Sequence, residues 1–181
     1  MREKLIIISD LWGKEKSEWL INYTRILEPK FDIVFYDSCE LGQIDKSNYT
    51  QENLHNQFIN GGIEKAVERL LEYEKLKINI LAFSIGGTIA WNFGLKRDNI
   101  NSLLCISSTR LRKEIKKPKG KLKLLFGEND EFKPKADWFK NMNLDHIILS
   151  GKGHQVYREL EFAERLSENL IKNKTTPQQW L

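Results

Sequence analysis

The sequence contains little cysteine, proline or glycine. Of its 181 residues, 2 are Cys, 4 are Pro and 11 are Gly. This scarcity of proline and glycine excludes a collagen-like chain, and 40% hydrophobic residues are typical of a globular protein rather than a disordered one. Cys39 and Cys105 lack the CxxC spacing and the histidine partners of a zinc site. We therefore expect neither a structural metal site nor a disulfide framework.

Long apolar segments are also missing. The longest aliphatic run near the N-terminus covers residues 5–8. That is too short for a signal peptide and far short of the about 20 residues that cross a bilayer. We therefore expect a cytoplasmic protein that does not enter membranes. The excess of positive charge is small, because 29 Lys and Arg against 25 Asp and Glu give a net charge of +4. So small an excess does not indicate a nucleic-acid partner.

Two hydrophobic periodicities alternate along the chain. Short apolar runs rich in β-branched residues predict buried strands of a parallel sheet. These runs cover residues 5–8, 31–36, 78–83, 102–106, 122–126 and 146–149. Apolar residues at helical spacing predict helices at 15–27, 63–76, 85–95 and 156–170, with a kink or break at 60–62. Strand and helix alternation predicts one α/β domain of βαβ units, which we assign to residues 1–171, followed by a mobile tail at 172–181.

The most informative segment is a strand that turns directly into a helix. It reads Ala82-Phe-Ser84-Ile-Gly86-Gly87, a small-x-Ser-x-Gly pattern. A serine on such a turn projects its hydroxyl above the sheet, and the residues two before and two after it must be small because they approach closely. Gly87 then lets the helix pack near the strand. The alternative is that Ser84 only caps the helix.

This turn resembles the nucleophile elbow of the α/β-hydrolases, with Ala82 in place of the commoner glycine. The resemblance implies a catalytic serine, acid and histidine in that chain order. Asp130 follows the strand at 122–126 in a segment that looks like the Gly-x-x-Asp turn of the family. His154 lies in a glycine-bearing loop after the last strand. By resemblance, Ser84, Asp130 and His154 are the predicted triad.

Other residues compete for these roles. Glu128 and Glu131 flank Asp130 and are alternative acids displaced from the motif position. His146 opens a strand, which favours a structural role, and His55 precedes the serine, which favours a surface or packing role. Taken singly, Asp130 also fits an ordinary turn residue and His154 a polar surface residue. The predicted triad depends on the conjunction of three signals, each at the carboxyl end of a strand.

The resemblance also implies an oxyanion hole made of backbone N–H groups. One donor is Ile85, the residue after the nucleophile. The second comes from the loop after the first strand, where this chain lacks the usual His-Gly pair of the family, and we expect Leu11 or Trp12 to supply it. Asp10, in the same loop, fits a ligand-binding group as well as a turn or capping residue.

The resemblance covers nearly the whole chain and implies a minimal α/β-hydrolase fold. We expect an open parallel sheet of about six strands, in the order 2-1-3-4-5-6, with helices on both faces. The strands ending at 106 and starting at 122 lie too close for a helical lid, so the site should be open or covered by loops. The implied activity is cleavage of a carboxylic ester or thioester through an acyl-enzyme, without a metal or organic cofactor. The alternatives are a non-catalytic binding protein on the same scaffold and a thioesterase for carrier-bound acyl groups.

One short segment is strongly basic. From Arg110 to Lys123 there are eight Lys or Arg and one acid, Glu114. A basic patch near a site steers anionic ligands, so an anionic substrate or an acyl carrier is a candidate partner. The alternative is a solvated loop, the usual role of a charge run.

Overall fold

The computed structural model describes residues 2–172, so the predicted tail lies outside the described residues except for Lys172. Six strands form one sheet. They are β1 (Glu3–Ile8), β2 (Phe31–Tyr36), β3 (Ile78–Phe83), β4 (Ile100–Ile106), β5 (Lys121–Gly127) and β6 (Asp145–Leu149). Each covers or extends its predicted run by one or two residues at an end.

The strands are all parallel and follow the order β2-β1-β3-β4-β5-β6, which confirms the predicted topology. Ile8, at the carboxyl end of β1, pairs with Tyr36 on one side and with Ala82 on the other. The chain leaves β1 towards β2 and returns through β3 on the opposite side. Such a reversal opens a crevice at the carboxyl ends of the strands, where open α/β sheets bind ligands.

Helices pack on both faces of the sheet. The α-helices are α1 (Ile21–Leu27), α2 (Ser38–Gly42), α3 (Gln51–Gln57), α4 (Ile63–Tyr73), α5 (Ile85–Lys96), α6 (Ala136–Met142) and α7 (Leu160–Lys172). Short 3-10 turns occupy Gly13–Lys16, Glu18–Leu20, Leu111–Lys113 and His154–Arg158. None of the helices within residues 2–172 combines the length and the apolar character needed to cross a bilayer.

Three helices were not predicted, namely α2, α3 and α6, and each has seven residues or fewer. Side-chain caps start the first two: the Asp37 carboxylate accepts the N–H of Cys39 at 2.7 Å, and the Thr50 hydroxyl accepts that of Asn53. Such short helices show too few turns for a clear periodicity. The predicted break at 60–62 is present, because Asn60 and Gly61 leave helical geometry between α3 and α4.

The predicted helix at 15–27 is α-helical only from Ile21 onward. Before that point the chain winds as 3-10 turns. The Ser17 hydroxyl donates to the carbonyl of Gly13, the acceptor that its own N–H would use in an α-helix, and that N–H bonds to Lys14 instead. A side chain that competes for a backbone acceptor therefore shifts the start of α1.

Alternate residues of the strands pack into two apolar layers, one on each face of the sheet. Ile6 and Ile8 face the layer covered by α2, α3, α4, α5 and α6, and Leu5 and Ile7 face the layer covered by α1 and α7. Within the second layer, aromatic rings surround Phe83, the residue before the serine turn. The ring centroids of Trp19, Tyr23 and Tyr157 lie 4.8, 5.1 and 5.4 Å from that of Phe83.

We predict that Phe83→Ala destabilises the protein by about 3–5 kcal/mol, because a fully buried ring leaves a cavity that its rigid neighbours cannot fill. Leu76→Ala is the control, because Leu76 is 78% exposed and its loss creates no cavity. Urea unfolding followed by tryptophan fluorescence measures both. Equal unfolding midpoints for the two variants would contradict the packing described for Phe83.

Candidate active site

The turn between β3 and α5 holds Ser84 in a strained conformation. Its φ of 51° and ψ of −118° are rare for a residue with a side chain. Three backbone hydrogen bonds hold it there. The N–H of Ser84 donates to Ile106 at 3.0 Å, and its carbonyl accepts the N–H of Gly87 at 3.1 Å and of Thr109 at 3.3 Å. The serine is thus fixed by its own helix and by the end of β4.

The small residues around Ser84 have steric causes. A Cβ on Gly86 would lie 2.3 Å from the carbonyl oxygen of Ser9, and a Cβ on Gly87 would lie 1.6 Å from the hydroxyl of Ser108. A side chain at Gly86 would force α5 away from the end of β1, and one at Gly87 would displace Ser108. Ala82 is fully buried between β1 and β4, where its methyl group fits. Close packing around Ser84 therefore explains why the sequence motif consists of small residues.

The three residues of the predicted triad lie in one chain of contacts. Ser84 Oγ is 3.1 Å from His154 Nε2, and His154 Nδ1 is 3.0 Å from Asp130 Oδ2. A carboxylate can only accept, so Nδ1 carries the proton, and the lone pair of Nε2 faces the serine hydroxyl. Asp130 follows β5 and is 3% exposed; its other oxygen accepts the N–H of Phe132 at 2.9 Å. This arrangement suits proton transfer from the serine to the imidazole.

The competing acids and His146 do not contact Ser84 or His154. Glu128 Oε2 accepts the N–H of Gly151 and the hydroxyl of Ser150, and these bonds, the backbone one first, lower the pKa of Glu128. Glu128 thus ties down the loop before His154 without contacting its ring. Glu131 is exposed. His146 belongs to β6, where its ring stacks on that of Phe139 at 3.9 Å.

The structure distinguishes the two candidates for the second oxyanion donor. The N–H of Trp12 donates to Asp10 Oδ1 at 3.0 Å, so it is already in use. Within residues 2–172, no protein group accepts the N–H of Leu11 or of Ile85, the latter because the first residue of a helix lacks an intrahelical acceptor. Leu11, and not Trp12, is therefore the candidate for the second oxyanion donor.

Asp10 joins the loop after β1 to the segment after His154. Its Oδ2 accepts from Tyr157 at 3.0 Å and from the guanidinium of Arg158 at 2.6 Å, while Oδ1 holds Trp12. Asp10 is fully buried, and burial raises the pKa of Tyr157 well above its ordinary value, so the phenol keeps the proton that it donates. Tyr157 and Arg158 share the 3-10 turn that begins at His154. Asp10 is thus the acceptor that sets the distance between the two loops.

A pocket opens above the serine. Apolar side chains line it together with polar ones, which include two from α3 and Thr109 from the segment after β4. Its walls are Leu11, Trp12, Gln51, His55, Ser84, Ile85, Thr109, Phe132, His154, Gln155 and Tyr157. The expectation of a surface or packing role for His55 did not foresee this position. No sequence signal near His55 marks it, because α3 reaches the site only through the β2–β3 connection.

Phe132 is a second residue that sequence reasoning missed. Besides donating its N–H to Asp130, it sets the edge of its ring against the imidazole of His154, with centroids 5.0 Å apart. Its backbone and its side chain therefore position two members of the predicted triad. The proximity of Phe132 to Asp130 in the sequence was the available signal.

We predict that Asp10→Asn destabilises the protein by about 3 kcal/mol, at the lower end for breaking a buried ion pair, because Arg158 is 24% exposed and keeps some contact with water. The control is Asp98→Asn, which breaks an exposed pair with Lys119 and should cost less than about 1 kcal/mol. Urea unfolding measures both. A cost as small as that of the control would show that Asp10 does not hold the two loops together.

Comparisons with other proteins place this geometry in a known fold. Neither a protein-family model nor a curated protein sequence matches the chain. Solved structures do match. A protein from Xanthomonas campestris pv. campestris assigned to the α/β superfamily of hydrolases has a TM-score of 0.66 at 16% identity, over 94% of this chain and 99% of that one. An α/β serine hydrolase homologue from Coxiella burnetii has a TM-score of 0.64 at 18% identity, over 97% and 88%.

A third structure is the carboxylesterase CesB from Bacillus subtilis. It has a TM-score of 0.63 at 11% identity, over 94% of this chain and 84% of that one. The likenesses extend over nearly the whole length of each protein. With the strand order and the strained turn at Ser84, they establish that this chain has the α/β-hydrolase fold.

Proposed function

We propose that the protein is a serine hydrolase that cleaves a carboxylic ester or thioester through an acyl-enzyme intermediate. The observation that carries the proposal is the relay of Ser84, His154 and Asp130, with successive contacts of 3.1 and 3.0 Å beside an open pocket. The likeness to a carboxylesterase supports the same class of reaction. A side chain that only capped α5 would have no need of a histidine oriented by a buried carboxylate.

In the first step, Ser84 Oγ attacks the carbonyl carbon of the substrate as His154 Nε2 takes the hydroxyl proton. Negative charge develops on the carbonyl oxygen, and the N–H groups of Ile85 and Leu11 stabilise it. The bond to the alcohol or thiol then breaks, and His154 returns its proton to that leaving group. Asp130 stabilises the imidazolium that forms between the two transfers.

In the second step, water hydrolyses the acyl-enzyme. His154 removes a proton from the water, whose oxygen attacks the acyl carbon, and Ser84 Oγ leaves with the proton that His154 gives back. The products are a carboxylic acid and the free enzyme. All of these transfers use the same nitrogen, Nε2, so the position of the imidazole ring determines the rate of both steps.

We predict that Ser84→Ala lowers kcat for p-nitrophenyl butyrate by about 10⁴-fold or more, because the nucleophile is lost. Ser47→Ala, which removes an exposed hydroxyl bonded to Asp45, is the matched control and should keep the activity. Release of p-nitrophenolate measures both. Parent-like activity of the Ser84 variant would remove the basis of the proposal.

A fluorophosphonate probe separates an enzyme from a binding protein on the same scaffold. The probe forms a covalent bond with an activated serine, so mass spectrometry should find it on Ser84 of the parent protein and on no residue of the Ser84→Ala variant. Absence of labelling in the folded parent protein would favour the binding protein.

We also predict that Asp130→Asn lowers kcat by about 10²–10⁴-fold, because an amide no longer fixes the productive tautomer of His154. Glu128→Gln is the matched control: this carboxylate bonds only to the loop at 150–151, and its loss should change kcat little. Steady-state kinetics on the same ester measures both variants. A larger loss from Glu128→Gln would transfer the role of the acid to that residue.

A further inference from the structure

We propose that three cations at the mouth of the pocket, Arg110, Arg112 and Lys113, recognise an anionic group of the substrate, a carboxylate or a phosphate. These residues are called the rim cluster below. The inference rests on the proposed function, since it names the class of ester or thioester that the site takes. Its basis is the position of the rim cluster, the lack of acidic partners for it within residues 2–172 and the chemistry of the pocket wall.

The rim cluster directly follows a residue of the pocket wall. Thr109 lines the pocket, and the chain then turns at Arg110, whose φ of 64° starts the short helix that carries Arg112 and Lys113. Arg110 is half-buried. Within residues 2–172 its guanidinium has no hydrogen bond and no ion pair. A partly desolvated cation without a counter-ion favours the arrival of an anion.

Arg112 is held against another residue of the pocket wall. Its Nη1 donates to the carbonyl of Phe132 at 3.0 Å, and the guanidinium lies 5.6 Å from the centroid of the Phe132 ring. The ring of Phe132 in turn contacts His154. The ring of Phe132 thus lies between the charge of Arg112 and the imidazole of His154, and the bond to the carbonyl of Phe132 holds that charge next to the pocket wall.

The positive charges of the rim cluster affect the pKa of His55, another residue of the pocket wall. Its pKa lies below the ordinary value, first because of burial and then because of the positive charges of Arg110, Lys113 and Arg112. The three cations thus act on a side chain that lines the pocket from the opposite helix, α3. Glu114, the acid next to the rim cluster, has its carboxylate 3.4 Å from the amide of Asn92.

The other basic residues of the segment 110–123 do not belong to the pocket. The chain runs from the carboxyl end of β4 back to the start of β5, at the opposite edge of the sheet. On the way, Lys117 donates to the carbonyl of Asn143 at 2.7 Å and Lys119 pairs with Asp98 at 3.3 Å. We therefore assign the expected contact between the basic segment and an anionic ligand to residues 110–113.

The pocket combines an apolar wall with a positive rim, and this combination suits an acyl chain or leaving group that ends in an anion. Guanidinium groups bind carboxylates and phosphates with paired hydrogen bonds, whereas a neutral alkyl end offers them nothing. A carrier protein would present acidic side chains over a wider area and would also interact with Lys116 and Lys119. We therefore commit to a small anionic substrate.

The experiment compares matched substrates. The p-nitrophenyl monoester of adipic acid and p-nitrophenyl hexanoate have acyl chains of equal length and differ in the terminal carboxylate. The thioesters of hexanoic acid with coenzyme A and with pantetheine share the arm next to the thioester, and only the coenzyme A ester carries the nucleotide with its phosphates. We expect kcat/KM to be about tenfold higher for the anionic member of one pair, since charge-assisted hydrogen bonds exceed neutral contacts. The pair that responds identifies a carboxylate or a phosphate as the anion.

Two double variants locate the effect. Arg110→Gln with Lys113→Gln spares Arg112, whose bond to Phe132 supports the site, and should remove the preference for the anionic substrate. Lys116→Gln with Lys119→Gln removes the same charge from the far part of the segment and should keep that preference. Added salt should reduce the preference of the parent protein, because exposed charges are screened over about 8 Å at physiological ionic strength.

Three results would overturn the inference. One is an equal kcat/KM within both substrate pairs for the parent protein, and another is an equal loss of preference in the two double variants. These leave the proposed function intact as long as the neutral ester is hydrolysed and the probe labels Ser84. If the neutral ester is not hydrolysed and the probe does not label Ser84, binding to the rim cluster can still be tested. Calorimetry then measures the affinities for adipic acid monoamide, hexanamide and coenzyme A. The third result that would overturn the inference is then equal affinity for the two amides together with no binding of coenzyme A.

Discussion

The close approach of α5 to the carboxyl end of β1 is the constraint on which the rest of the site depends. At Gly86 the helix lies so near the carbonyl of Ser9 that a single methyl group would not fit. This contact points the start of α5 at the crevice, where the N–H of Ile85, the first residue of the helix, has no protein acceptor within residues 2–172. The same contact brings the loop after β1, with Leu11, to the side of Ser84. The proposed nucleophile and the candidate anion-stabilising groups are thus placed by one steric condition.

Much of this arrangement was predictable because its determinants are local. A buried parallel strand is a continuous apolar run, so all six strands and their order followed from the sequence pattern and the resemblance. The turn at Ser84 requires small residues at fixed distances along the chain, which a sequence displays directly. Asp130 and His154 are each one short turn beyond a strand, and parallel strands bring such turns together at one edge.

The remaining features depend on contacts between distant parts of the chain. Asp10 and Arg158 are separated by 148 positions, and nothing near either residue indicates that they meet. The expectation for Trp12 changed for the same reason, since the carboxylate that takes its N–H also binds Tyr157 and Arg158, which lie far along the chain. Helix α3 is too short to show a periodicity, so the position of His55 in the pocket could not be derived from its neighbours.

Helix α3 also gives the molecule a modular character. The triad residues lie on the connections after β3, β5 and β6, whereas Gln51 and His55 belong to the connection between β2 and β3. At Asn60 and Gly61 that connection leaves helical geometry before α4 packs on the sheet. Substitutions at Gln51 and His55 would therefore reshape that wall, while the connections after β3, β5 and β6 keep their sequence. Tyr49 donates to a carbonyl of the loop after β1, so this residue of the connection would have to stay. Part of the pocket wall is thus encoded away from the proposed catalytic residues, and these two positions of α3 are suited to changing the specificity of the site.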